Sequence, residues 1–109
     1  MKCEKRKLEK VEGVCKTYGE LMYKGADHLV STSEVERIKV NVPIKNPSGD
    51  YTTDFYCEMR DGTVKVFECV ERNKISLTCK KMIRLLDESR NYWLRRGAKW
   101  GIITNAKEK

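Results

Sequence analysis

Asp54, Glu68 and Glu20 are the residues of this chain whose types and spacing suit chemistry, set among many lysines and arginines. Asp54 and Glu68 lie in the stretch Y-T-T-D-F-Y-C-E-M-R-D-G-T-V-K-V-F-E-C-V-E-R, Tyr51 to Arg72. It reads as two strands joined by a turn at Asp61-Gly62. Carboxylates so placed can hold a divalent cation, which activates water and stabilises charge on a phosphodiester during hydrolysis. Magnesium prefers hard oxygen ligands and keeps several waters, so two or three acids suffice. Glu20, presented from a helix, is the candidate third acid, and a nearby lysine would orient the water. The plain alternative is that these acids are solvated strand and helix residues, because short spacings carry a high false-positive rate.

Strand register decides whether the two sheet acids can act together. Side chains alternate along a strand, so only residues that come opposite one another share a face. A two-residue Asp61-Gly62 loop pairs Phe55 with Glu68 and sends Asp54 to the other face. A three-residue loop, Arg60-Asp61-Gly62 with Gly62 left-handed, pairs Asp54 with Glu68 instead. A bulge near Asp54 would do the same. A shared metal site therefore requires an odd-residue turn or a bulge.

The elements that must position these residues are legible from periodicity. Met1 to Lys16 is rich in Lys and Glu, and fits a loose basic arm or a short surface helix. Thr17 to Val30 reads as a helix, with Thr17 and Glu20 in capping-box spacing. Glu34 to Val42 alternates as a half-buried strand that Pro43 ends or places at an edge. K-N-P-S-G-D, Lys45 to Asp50, is a turn cluster. After the hairpin, Thr78 can cap a long helix reaching Arg96, with Met82, Leu85, Leu86, Ser89 and Trp93 as its buried stripe. Gly97 stands where a C′ residue belongs. K-W-G-I-I-T makes a short last strand. A helix between the last two strands predicts a parallel pair. The expected fold is α/β (α+β), in the order α-β-β-β-α-β, a mixed four-stranded sheet flanked by helices. The expected division is an N-terminal arm, 1–16, and a single domain, 17–109.

Composition narrows the partners. The 23 Lys and Arg against 16 Asp and Glu leave a net charge of +7, which favours a polyanion. No apolar run is long enough to span a bilayer, and no signal-peptide core opens the chain, so no membrane partner is expected. The cysteine count, 5, is odd and C-x-x-C is absent, which argues against a disulfide framework or a zinc site. A reducing cytoplasm is the expected location.

Y-T-T-D-F with F-E-C-V, and R-L-L-D-E-S-R-N-Y-W-L-R-R-G-A-K-W-G-I-I-T from Arg84 to Thr104, resemble the PD-(D/E)XK nuclease fold. More narrowly they resemble the N-terminal catalytic domain of the TnsA endonuclease, from about Tyr18 to Lys107. The resemblance implies Glu20 as the helix acid, Asp54 and Glu68 as the sheet acids, and Mg²⁺ or Mn²⁺ as cofactor. It also implies staggered or single-strand cuts in DNA. Two positions depart from the pattern. Thr53 replaces the usual proline, and Val70 stands where the motif lysine belongs. Three readings follow: Lys80 or Lys81 supplies the lysine from the first turn of the long helix, Arg72 substitutes for it, or the protein binds without cutting.

Lys80, Lys81 and Arg84 at that helix start, with Arg72 before it, are also the expected phosphate contacts. The expected function is a metal-dependent DNA endonuclease, free-standing and from a phage or mobile element, since no counterpart of the family's C-terminal domain follows. The alternative is an inactive nuclease-fold protein that binds DNA or docks on a partner as accessory or inhibitor. DNA is the first expected partner. A transposase-like partner and a homodimer are the other assemblies considered.

Overall fold

The computed structural model describes residues 3–46, 49–70 and 80–104. In chain order the elements are β1 (Cys3–Arg6), β2 (Cys15–Tyr18), α1 (Glu20–Ser31), β3 (Val35–Asn46), β4 (Gly49–Met59), β5 (Val64–Cys69), α2 (Lys80–Arg95) and β6 (Lys99–Ile103). The fold is mixed α/β with a four-stranded sheet in the order β3-β4-β5-β6. β3, β4 and β5 pair antiparallel, and β5 pairs with β6 in parallel, as the intervening helix predicts.

The expected order α-β-β-β-α-β is corrected at its start to β-β-α-β-β-β-α-β. β1 and β2 form an antiparallel hairpin, with Cys3 opposite Tyr18 and Arg6 opposite Cys15. The basic stretch expected as an arm or surface helix thus supplies β1 and the first half of β2. Its β character rests on alternation in β2, where Cys15 and Thr17 are buried and Lys16 and Tyr18 exposed. Thr17 therefore does not cap the helix. Gly19, at φ 93°, holds the cap position, and no side chain bonds there.

Two apolar clusters sandwich the sheet. Met22, Ala26 and Leu29 of α1 pack on Ile38, Phe55 and Cys57. Trp93 of α2 and Ala98 pack on Ile44 and Val66. Successive residues Phe55 and Tyr56, or Val66 and Phe67, go to different clusters, as strand alternation requires. Gly25, within α1, faces Phe55 and Ile103, and a Cβ there would meet both at 3.4 Å, in ordinary van der Waals contact.

β3 continues through Pro43 to Asn46. Pro43 is tolerated because β3 lies at the sheet edge, where a missing N–H costs no ladder bond. The segment before β2 covers part of this edge: Ile38 N–H donates to Lys10 O at 2.7 Å and Glu12 N–H to Ile38 O at 3.3 Å. The middle of the expected turn, Pro47 and Ser48, lies outside the described residues, as does the Thr78 cap of α2. The other end of α2 follows the sequence closely. Gly97 N–H donates to Leu94 O at 3.1 Å and Ala98 N–H to Trp93 O at 3.0 Å, the Schellman pattern. Among the described residues no helix is long and apolar enough to cross a membrane.

Candidate acidic site

The turn between β4 and β5 has the three-residue form. Met59 N–H donates to Thr63 O at 2.8 Å, Gly62 N–H donates to Met59 O at 3.0 Å, and Gly62 has φ 89°. Asp61 braces the loop by accepting from Thr63 N–H and Oγ1 at 2.9 and 2.6 Å. These two bonds hold the exposed Asp61 carboxyl below its usual pKa. The resulting register sets Phe55 opposite Phe67. Carried one residue further, it sets Asp54 across from Glu68.

The strands change character at that point. Val40 and Phe55 pack on the α1 side, whereas Val42 and Tyr51 pack on the α2 side. Asn41 lies between them on β3 with φ 55°, beside Asp54 in the register. The β4–β5 ladder stops at Phe55–Phe67, and the next amide, Cys69 N–H, donates to Asp54 Oδ2 at 2.7 Å. A carboxylate thus replaces a backbone carbonyl as acceptor. Burial raises the Asp54 pKa, and the bond from Cys69 N–H offsets part of that rise.

Glu68 is fully buried. Ser89 Oγ donates to its Oε2 at 2.6 Å and Tyr51 Oη to its Oε1 at 3.0 Å. Trp93 Nε1 donates to Thr53 Oγ1 at 2.8 Å, and Thr53 Oγ1 lies 3.5 Å from Ser89 Oγ. Burial pushes Glu68 up to about 7; the Ser89 and Tyr51 bonds oppose the shift and the Asp54 charge adds to it. Tyr51 is raised as well, first by burial and then by Glu68.

A cleft of about 330 Å³ opens beside this network, lined by Tyr51, Thr52, Asp54, Val70, Met82 and Leu86 among others. Tyr51 both lines the cleft and bonds Glu68, so it stands between that carboxylate and the opening. Val70 is buried, and Met82 and Leu86 from the first turns of α2 share its wall. Among the described residues of the cleft lining there is no lysine to stand in for the one the resembled motif has at this position.

The remaining expected site residues fall elsewhere or are not described. Glu20 is exposed, pairs with Lys24 at 2.9 Å, and borders a separate pocket with Tyr23 and Asp27. It is displaced because the helix begins at Glu20 itself, on the side facing the N-terminal hairpin. Lys80 and Arg84 are exposed on α2. Lys81 belongs to α2, but its side chain, like the whole of Arg72, lies outside the described residues. Among the described residues no three His, Cys, Asp or Glu side chains converge as metal ligands. Cys3, Cys15, Cys57 and Cys69 are free thiols, and burial pushes Cys57 up to about 12.

Reasoning from the sequence missed Tyr51, Thr53 and Ser89 as partners of Glu68. The available signal was Ser89, a lone polar residue in the apolar stripe of α2. A buried hydroxyl needs a partner, and a buried acid on the facing strand needs a donor. No protein-family model and no curated sequence matches this chain.

Proposed function

We propose that the protein is a metal-dependent DNA endonuclease of the PD-(D/E)XK type, with Asp54 and Glu68 as its acid pair. The observation that carries this reading is the odd-residue turn at Arg60-Asp61-Gly62, whose register, carried one residue past the last ladder pair Phe55–Phe67, brings Asp54 opposite Glu68, with Asp54 lining a cleft. The donor set fits a hard divalent cation by type. Two carboxylates are enough for magnesium, which completes its shell with water. Asp54 would hold the ion from the cleft wall, and Glu68 would join when the Tyr51 hydroxyl gives way. The ion would supply Lewis-acid stabilisation of the phosphate and an activated water. Glu20 is left out, because its carboxylate is engaged with Lys24 and borders another pocket. Lys80 or Lys81, at the start of the helix whose Met82 and Leu86 wall the cleft, is the assigned source of positive charge.

The test is nicking of supercoiled, linear and branched DNA with Mg²⁺ or Mn²⁺. Asp54→Asn and Glu68→Gln are each expected to abolish cutting while leaving DNA binding intact. Cutting that survives both substitutions, or no cutting of any substrate with either metal, overturns the reading.

One observation favours the binding-only alternative. Both Glu68 oxygens already accept from protein donors, and among the described residues that line the cleft with Val70 there is no lysine. On that reading the acid pair is a structural remnant, and the protein binds DNA or a partner as an accessory or inhibitor. It requires DNA affinity unchanged by metal and no cleavage.

A further inference from the structure

We infer that the groove beside the cleft, between the end of β3 and the end of α2, seats a single-stranded nucleic-acid backbone. The groove encloses about 710 Å³ and is lined by Lys45, Tyr51, Thr52, Tyr92 and Arg96 together with Pro43 and Ile44. Among these lining residues there is no acid. Tyr51 and Thr52 also line the Asp54 cleft, so the two depressions meet along β4.

Arg96 is the anchor. Its guanidinium lies 3.6 Å from the Tyr92 ring centroid and donates one N–H to Tyr92 O at 3.3 Å. Stacking fixes the plane of the fork, and a guanidinium has five N–H donors, so most remain for a phosphate. Lys45 is the second contact. It is exposed at the end of β3.

Cations set beside aromatic rings match a strand in which phosphates alternate with bases and sugars. An acidic peptide would use the cations but not the tyrosine faces. A duplex would keep its base faces stacked and out of reach of Tyr51. The chain's +7 charge adds long-range attraction. The inference rests on the nucleic-acid reading above, but it holds for a protein that cuts and for one that only binds.

The test is fluorescence anisotropy with labelled oligothymidylate in EDTA, so that binding is read without cleavage. The Lys45→Ala/Arg96→Ala double variant is expected to bind about tenfold more weakly. Its slope of log K against log salt should shrink by about 1.4, near 0.7 for each lost phosphate contact on a single strand. Lys5→Ala/Lys16→Ala removes the same charge from the exposed hairpin and is expected to keep its affinity. An equal loss in that control would reduce the effect to net charge and overturn the inference. Polyglutamate competing as well as oligothymidylate, or duplex DNA binding tighter than the single strand, would also overturn it. DNA cutting with unchanged binding in the groove variant would remove the groove and leave the nuclease. Weakened binding in that variant without any cutting would support the groove and remove the nuclease.

Discussion

Burial of Glu68 among Tyr51, Thr53 and Ser89 gives stability a pH dependence with a definite sign. Its pKa rises from 4.5 to about 7 in the fold. A carboxyl raised in this way favours folding while it is protonated. Its contribution is complete below pH 4.5 and is lost as pH climbs through about 7. The loss amounts to roughly 3 kcal/mol across that window. Thermal melts should therefore show Tm stepping down between pH 5 and pH 8, and Glu68→Gln should remove the step. Ser89→Ala takes away the donor to Oε2, so the midpoint of the same step should move to higher pH. A Ser89→Ala midpoint equal to or below that of the parent would show that Ser89 does not hold the carboxylate.

Among the elements, the β4–β5 hairpin decides what the acids can do. Its turn places Gly62 at φ 89°, where an added Cβ would meet nothing within 4 Å. Only backbone conformation penalises a side chain there. Gly62→Ala should cost about 1 kcal/mol in urea unfolding, with the midpoint lowered and the slope unchanged. A neutral or stabilising effect would contradict a left-handed residue at that position. The sequence marked this turn correctly through Asp61-Gly62, but two loop lengths fitted those residues equally. A single apolar face of Phe55, Cys57, Met59, Val64 and Val66 fitted only the two-residue loop, and the structure divides those residues between the two sides of the sheet. The choice came from packing. Phe55 and Cys57 fill the space under α1, and Tyr56 and Val66 the space under α2.

At the scale of the whole molecule, the N-terminal hairpin is docked on α1 rather than trailing free. Arg6 Nη1 lies 2.9 Å from Asp27 Oδ1, Nη2 donates to Tyr23 O at 3.1 Å, and the guanidinium sits 3.5 Å from the Tyr23 ring centroid. Asp27 is half exposed, so the ion pair itself contributes little and the stacked guanidinium more. Arg6→Ala should destabilise the fold by about 1 kcal/mol. Hydrogen exchange should quicken at the β1 and β2 amides and stay protected in β4 and β5. Equal acceleration in all four strands would mean that the hairpin and the main sheet open as one unit.

What the sequence determined by itself is local. Alternation marked β3, the Asp61-Gly62 turn between two strand-like runs marked β4 and β5, K-W-G-I-I-T marked β6, the stripe from Met82 to Trp93 marked α2, and Gly97 marked its end, because each signal is complete within a few neighbouring residues. The tertiary structure alone decided which of those residues meet. It brought Ser89 to Glu68 across 21 positions and Trp93 to Thr53 across 40. It also paired the N-terminal stretch into a hairpin and set Glu20 against Lys24 at the border of another pocket. Facing, depth and register depend on how two helices fill both sides of one sheet, and no short stretch of chain carries that information.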